Sequence, residues 1–230
     1  MYRERPADLP GAVLWTRTVP AAARTARVLP DGCLDLIWSS RTGLLVAGPD
    51  RVAQVAHSVP GERYVGLRLP PGVGPAVFGV PACELRDQRV PLADLWPHRL
   101  VTEISERAAA GSAGAVLTSV AVGRLRRAGG PDPVAATLVG WLAAGEPVGA
   151  VAARVGLGVR HLHRRCQALF GYGPKTLARI LRMGAALDLA RSGVPLAEVA
   201  VRSGYADQAH LTREVRDLAG VPPGTLLRAD

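Results

Sequence analysis

The C-terminal part of the chain repeats itself, and the repeat restricts what that region can fold into. Val151-Ala152-Ala153-Arg154-Val155-Gly156 matches Val199-Ala200-Val201-Arg202-Ser203-Gly204 at an offset of 48 residues. Further on, His161-Leu162-His163-Arg164 matches His210-Leu211-Thr212-Arg213, and Gly171-Tyr172-Gly173-Pro174 matches Gly220-Val221-Pro222-Pro223, both at an offset of 49. Three blocks in the same order mark two copies of one unit. The change of offset places a single inserted residue in the turn after Gly204.

Each copy reads as a short helix, a glycine-containing turn and a second helix closed by glycine, the grammar of a helix-turn-helix. Ala152 and Ala200 are small enough to let the two helices cross closely, and Gly156 and Gly204 permit the tight turn. In the second helix of the first copy, Leu162, Cys166, Leu169 and Phe170 fall on one face. Arg160, His163, Arg164 and Gln167 fall on the other. The second copy turns Leu211, Val215, Leu218 and Ala219 inward and Ala209, Thr212, Arg213 and Arg216 outward. Arginine can bond guanine bidentately in the major groove, and Gln or Thr can read adenine or a thymine methyl. A polar face alone is also what any solvated amphipathic helix presents, so the weight for DNA comes from duplication of the whole unit.

On these residues, the stretch from Asp132 to Arg228 resembles the DNA-binding domain of AraC-type bacterial transcription regulators. Ile180-Leu181-Arg182-Met183-Gly184-Ala185-Ala186 with Leu189 is similar to that family's connecting helix. The run from Val199 to Gln208, then Arg213 and Gly220-Val221-Pro222-Pro223, is similar to its second unit. The resemblance implies two helix-turn-helix subdomains joined by one long helix at about 175–192. Their reading helices, at about 159–170 and 207–219, would face adjacent major-groove segments. It carries base-reading roles onto Arg160, His163 and Arg164 in the first unit and onto Gln208, Ala209, Thr212 and Arg213 in the second. The chain departs from the family pattern at Gly158, where a capping Ser is usual, at Arg165 and Cys166, where apolar and aromatic residues are usual, and at Pro222.

The first ninety or so residues have a different texture, with short β-like runs at 12–18, 26–29, 33–39, 44–48 and 64–69 bounded by Pro, Gly and Asp turns. The nearly continuous apolar run from Cys33 to Trp38 predicts a strand buried between two layers. From Leu92 the pattern turns helical, at 92–110, 113–127 and 133–144. The expected architecture is α+β: a β-barrel or sandwich over 1–91, a helical connector over 92–130 and the helix-turn-helix domain over 131–230. The N-terminal part looks like an uncharacterised domain attached to many AraC-type regulators. By analogy with cupin-like barrels of that family, it would bind a small effector or mediate homodimerisation. Trp15, Trp38 and Tyr64 are candidates to line an apolar ligand pocket, with ordinary core packing as the alternative.

Composition adds bounds. The 230 residues suit one large or two small domains, and the net charge of +9 favours a polyanionic partner without naming it. From Pro131 onward there are 12 Lys+Arg against 8 Asp+Glu, so the positive excess is not concentrated in the repeat. Cys33, Cys83 and Cys166 form no paired framework, and no apolar leader or membrane span is evident, which together predict a cytoplasmic protein. Only His57 and His98 lie in the first half, too few for a cupin metal site, and no phosphate loop or nucleophile elbow occurs, so neither metal nor cofactor is expected. The expectation is a non-enzymatic, sequence-specific regulator with double-stranded DNA and RNA polymerase as partners. The alternative is a cupin-type enzyme or an alkyl-acceptor repair protein, using Cys33 or Cys83, that is targeted by the helix-turn-helix half.

Overall fold

A computed structural model describes residues 2–22 and 25–228. The N-terminal part contains strands β1 (Tyr2–Pro6), β2 (Val13–Thr18), β3 (Thr25–Val28), β4 (Leu34–Ser39), β5 (Gly43–Ala47), β6 (Gln54–His57), β7 (Arg63–Leu69) and β8 (Arg89–Pro91). Six of them form one antiparallel sheet in the order β1-β2-β7-β4-β5-β8, while β3 and β6 form a separate ribbon. The main sheet is open: β1 and β8 are its edges rather than neighbours.

Pairing register sorts the side chains. Leu14, Leu67, Leu36 and Val46 stand opposite one another, as do Thr16, Val65, Trp38 and Leu44, so all share one face. That face packs against three helices: α1 (Gly74–Phe78), α2 (His98–Arg107) and α3 (Ala113–Arg127). The opposite face carries Trp15, Asp35, Ile37, Tyr64 and Arg68. There the Trp15 indole lies across Gly66, where a Cβ would sit 2.1 Å from the ring, and donates to Asp35 Oδ1 at 2.5 Å. Burial pushes the Asp35 carboxyl up to about 6, despite the Arg68 charge beside it. The strand at 33–39 therefore differs from the expectation of a run buried on both sides. Leu34, Leu36 and Trp38 are buried, and Asp35 and Ile37 are half-buried behind them.

The helix expected at 92–110 is also interrupted. A single turn, Leu92–Asp94, precedes Pro97, whose ring and missing N–H prevent continuation, and α2 starts only after it. A wide turn, Ala108–Ser112, with Gly111 at φ 124°, then separates α2 from α3. By length and composition His98–Arg127 could cross a membrane, against the expectation that the sequence holds no such span. Here its apolar side, including Val101, Ile104, Val116 and Leu117, is packed into the core of the sheet domain.

A second core begins at Ala135 and ends at Leu226. It is built by α4 (Ala135–Ala143), α5 (Val148–Arg154), α6 (Val159–Phe170), α7 (Pro174–Arg191), α8 (Leu196–Arg202), α9 (Gln208–Ala219) and α10 (Pro223–Leu226). The fold is α+β, an antiparallel sheet domain followed by a helical one.

Candidate nucleic-acid interface

The repeat is reproduced in the backbone. After α5, Gly156 N–H donates to Ala153 O at 3.0 Å and Leu157 N–H to Ala152 O at 2.9 Å. After α8, Gly204 N–H donates to Val201 O at 3.1 Å and Tyr205 N–H to Ala200 O at 2.8 Å. These are two copies of the αL helix stop that closes a helix on its own last carbonyls. Gly156 and Gly204 take φ of 66° and 72°, a left-handed conformation that costs a Cβ-bearing residue roughly 1–2 kcal/mol. The N-caps that follow, Gly158 and Asp207, are 49 apart, so the inserted residue lies between Tyr205 and Asp207.

Helices α6 and α9 each run 12 residues and end at αL glycines, Gly171 and Gly220. Leu162, Cys166, Leu169 and Phe170 are buried in one, and Leu211, Val215, Leu218 and Ala219 in the other. Arg160, His163 and Arg164 are exposed on α6, where with His161 they border a shallow depression. The His163 ring lies over Gly173, whose Cβ would meet Nε2 at 2.4 Å, so it is held beside the following turn. On α9, Gln208, Ala209 and Arg213 are exposed, while the half-buried Thr212 donates its hydroxyl to Gln208 O at 2.8 Å. Asp207 accepts from His210 N–H at 2.6 Å and caps α9, whereas Gly158 offers α6 no side-chain cap. The expected reading residues thus gather on the N-terminal and middle turns of two exposed helix faces.

Trp15, Trp38 and Tyr64 are not gathered in this way. Trp38 is on the helix-covered face of the sheet and the other two are on the reverse, because successive side chains alternate along a strand.

The departure at Arg165 acquires a reason. Arg165 Nη2 donates to both carboxylate oxygens of Asp132, at 2.9 and 2.8 Å, tying α6 to the segment that enters α4. At the matching position of the second unit, Glu214 accepts from Arg179 Nε at 2.9 Å and lies 3.5 Å from Arg182, tying α9 to α7. Burial raises the Glu214 carboxyl, but the Arg179 hydrogen bond and the charges of Arg179 and Arg182 outweigh it and hold it below the ordinary value. Arg182 also stacks over Tyr205, 4.5 Å from the ring centre.

Sequence reasoning missed what holds the far ends of α6 and α9. Arg86 Nη1 donates to Gly171 O at 3.1 Å, and Arg27 Nη1 donates to Ala219 O at 2.8 Å. Ala53 N–H donates to Leu218 O at 2.7 Å. Gly171 also packs on Pro49, where a Cβ would sit 2.5 Å from the ring. The sheet domain thus reaches the C-terminal ends of α6 and α9 together, placing guanidinium charge where helix carbonyls are unsatisfied. These partners are 85 and 192 residues apart in the chain, and no local pattern announces them.

Two helix-turn-helix units with polar faces exposed on the second helix of each, joined by the 18-residue α7, define a DNA-binding regulator of transcription. Residues 151–229 match the family described as Helix-turn-helix domain, and residues 12–91 match a Domain of unknown function, DUF6597. With the landmarks above, the C-terminal part is an AraC-type helix-turn-helix domain behind an uncharacterised N-terminal domain. No curated protein matches the chain. An apo variant of ToxT from Vibrio cholerae shares the fold over 98% of this chain and 99% of its own, with 11% identity and a TM-score of 0.52. The C-terminal domain of AraT, a response regulator from Geobacillus stearothermophilus, is 22% identical over 43% of this chain and 87% of its own, TM-score 0.40. A probable AraC family transcriptional regulator from Rhodopseudomonas palustris is 22% identical over 40% of this chain and 92% of its own, TM-score 0.35.

Proposed function

We propose that the protein reads two successive major-groove segments of double-stranded DNA with α6 and α9, and that its N-terminal domain modulates the reading. Arg160, His163, Arg164, Gln208, Ala209, Thr212 and Arg213 are the base-facing positions. Phosphates are met at the helix N-termini near Val159 and Asp207. Helix α7, about 27 Å long at 1.5 Å per residue, is the spacer that sets the two units along the duplex. Successive groove segments lie roughly 34 Å apart, so one chain covers about two turns.

The observation that carries the modulation is the pair of arginine contacts to Gly171 O and Ala219 O. A helix-turn-helix reads bases with the N-terminal part of its second helix. The sheet domain holds the opposite end of both, so a small shift of that domain re-aims both reading faces without touching DNA. In this reading residues 131–230 bind DNA, 1–91 sense or dimerise, and 92–130 connect them. The protein works in the cytoplasm beside RNA polymerase, without catalysis. The Cys33 thiol favours regulation over alkyl transfer: burial, with Asp31 and Asp35 nearby, pushes it well up, which disfavours the reactive thiolate.

Footprinting on DNA flanking the protein's own gene tests the proposal. A protected site of about two turns is expected, with each of Arg164→Ala and Arg213→Ala costing about 1–3 kcal/mol of specific affinity. Absence of any specific site, or unchanged affinity in both variants, sinks the reading of the bases. Arg27→Ala and Arg86→Ala test the modulation, since they lie off the DNA face and should still alter affinity.

A further inference from the structure

Two loops of the sheet domain run side by side where the β5–β8 pair ends: segment 48–53 leaves β5 and segment 82–88 enters β8. Gly48 N–H donates to Gln88 O at 2.9 Å, and a Cβ on Gly48 would sit 1.6 Å from Leu85 O, so the loops meet backbone to backbone. The buried Asp50 accepts from both terminal nitrogens of Arg89, at 3.0 and 2.5 Å. On its outer side the loop pair carries Pro49 and Arg86 against Gly171 at the end of α6, and Ala53 N–H on Leu218 O at the end of α9. Beyond Ala53 the chain enters β6, whose partner β3 brings Arg27 to Ala219 O.

Asp87 stands where these contacts join. Its φ is 58°, and among the described residues it is the one residue besides glycine with a positive φ. Glycine takes that conformation freely and other residues at a cost, Asp less than most. What the side chain adds is a cross-link. Oδ1 accepts from Arg51 N–H at 2.8 Å and Oδ2 from Arg51 Nε at 2.6 Å, while Asp87 N–H donates to Pro49 O at 3.2 Å. As a surface ion pair the contact would count for little, because the Arg51 side chain is exposed. Its weight comes from the two backbone groups, one on each side of Asp50, that fix the course of 49–51. Pro49 and the neighbouring Arg86 meet α6, and two residues past Arg51 the chain meets α9.

We infer that Asp87 is a positioning residue for DNA: it locks the two loops into a brace that fixes the placement of α6 relative to α9, so the sheet domain, together with α7, sets which spacing of DNA segments the protein accepts. The inference rests on the proposed reading of two groove segments and assigns its spacing specificity to this loop pair. Helix α7 is one connection between the two units. The brace is a second, made at the far ends of α6 and α9, and units held at two places twist less than units held at one. Inserting one base pair moves a DNA segment by about 3.4 Å along the axis and by about a tenth of a turn around it, a displacement that a braced pair does not follow.

Hydrogen exchange on the full chain without DNA is the first test, in Asp87→Gly, Asp87→Ala and Asp87→Asn. Glycine accepts the left-handed φ without strain, so Asp87→Gly should fold like the parent and isolate the loss of the carboxylate. Amides at 167–171 and 216–220 are expected to exchange at least tenfold faster in Asp87→Gly and Asp87→Ala, both helix ends together, with α7 unchanged. Asp87→Asn keeps an acceptor for Arg51 N–H and should lie between. The second test compares affinity for the footprinted site with affinity for the same site carrying one base pair more or fewer between its two segments. The parent should lose at least tenfold on either change, and Asp87→Gly less than threefold from a weaker start. Unchanged exchange, faster exchange at one helix end only, a parent indifferent to spacing, or a variant that discriminates spacing as sharply as the parent would overturn the proposal. A parent that finds no DNA site, while both helix ends loosen in Asp87→Gly, supports the brace and removes the reading of DNA. Normal DNA binding with neither end loosened removes the brace alone.

Discussion

The turns after α5 and α8 close with the same pair of backbone hydrogen bonds, yet the helices that follow them are anchored by different chemistry. The first unit starts its second helix on an uncapped glycine and ties it with Arg165 to Asp132; the second starts its own on Asp207 and ties it with Glu214 to Arg179 and Arg182. The ion pair has kept its place and reversed its sign. In both units that position links the second helix to the element that precedes the unit, the segment entering α4 in one and α7 in the other, and either charge serves if the partner is complementary. Apolar contacts, by contrast, are held at matching positions in both copies, because the space between three helices accepts few alternatives.

Core truncation should show the two units as equals. Leu162→Ala and Leu211→Ala remove side chains that are 0% and 1% exposed, and each should lower unfolding free energy by about 2–5 kcal/mol in chemical denaturation. A large loss in one and none in the other would mean that the units do not share a packing plan. Next in size are the sign-reversed links. Arg165→Ala and Glu214→Ala should each cost about 1–2 kcal/mol, kept modest because the arginine partners are partly exposed to solvent. Reversing a single member, as in Glu214→Arg, should cost more than truncating it, since three guanidinium groups would then meet.

The same pair separates the units by pH. Glu214 has a lowered carboxyl pKa in the folded chain, so its contribution is present above the unfolded carboxylate value of about 4.3 and fades as pH falls through the folded value. Glu214→Gln should therefore flatten the acid limb of a stability against pH curve. An unaltered limb would show that the link to α7 contributes little. Smallest are the caps: Asp207→Ala should cost about 1 kcal/mol, whereas Gly158→Ser should add a few tenths in thermal melts. A large gain at Gly158 would show that α6 is frayed in the parent protein.

Much of the helical half was legible because its determinants are local. The expected reading helices, 159–170 and 207–219, and the connecting helix, 175–192, lie within a residue of α6, α9 and α7 at either end. Glycine stops, apolar spacing and a repeated order of residues carry that information within a few turns of chain. In the sheet domain, five expected strands were found, but β1, β6, β8 and α1 were not read. β1 is the exposed run Tyr2–Pro6, which has no apolar alternation and is a strand because β2 offers it an unpaired edge. Trp15, Trp38 and Tyr64 could be named as aromatic residues on strands, but their faces depend on parity and pairing, which the segments do not state one by one.

Sequence alone determined that the chain ends in two copies of a helix-turn-helix and which side chains their second helices present, since helical periodicity assigns faces without reference to the rest of the molecule. Tertiary structure decided the remainder. It placed Arg27 and Arg86 on the last carbonyls of α9 and α6, gave the departure at Arg165 its partner, and opened a cavity between Trp38 and a turn that begins 70 residues later in the chain. Those contacts join segments far apart along the backbone, and their residues are ordinary surface arginines and alanines until folding brings them together.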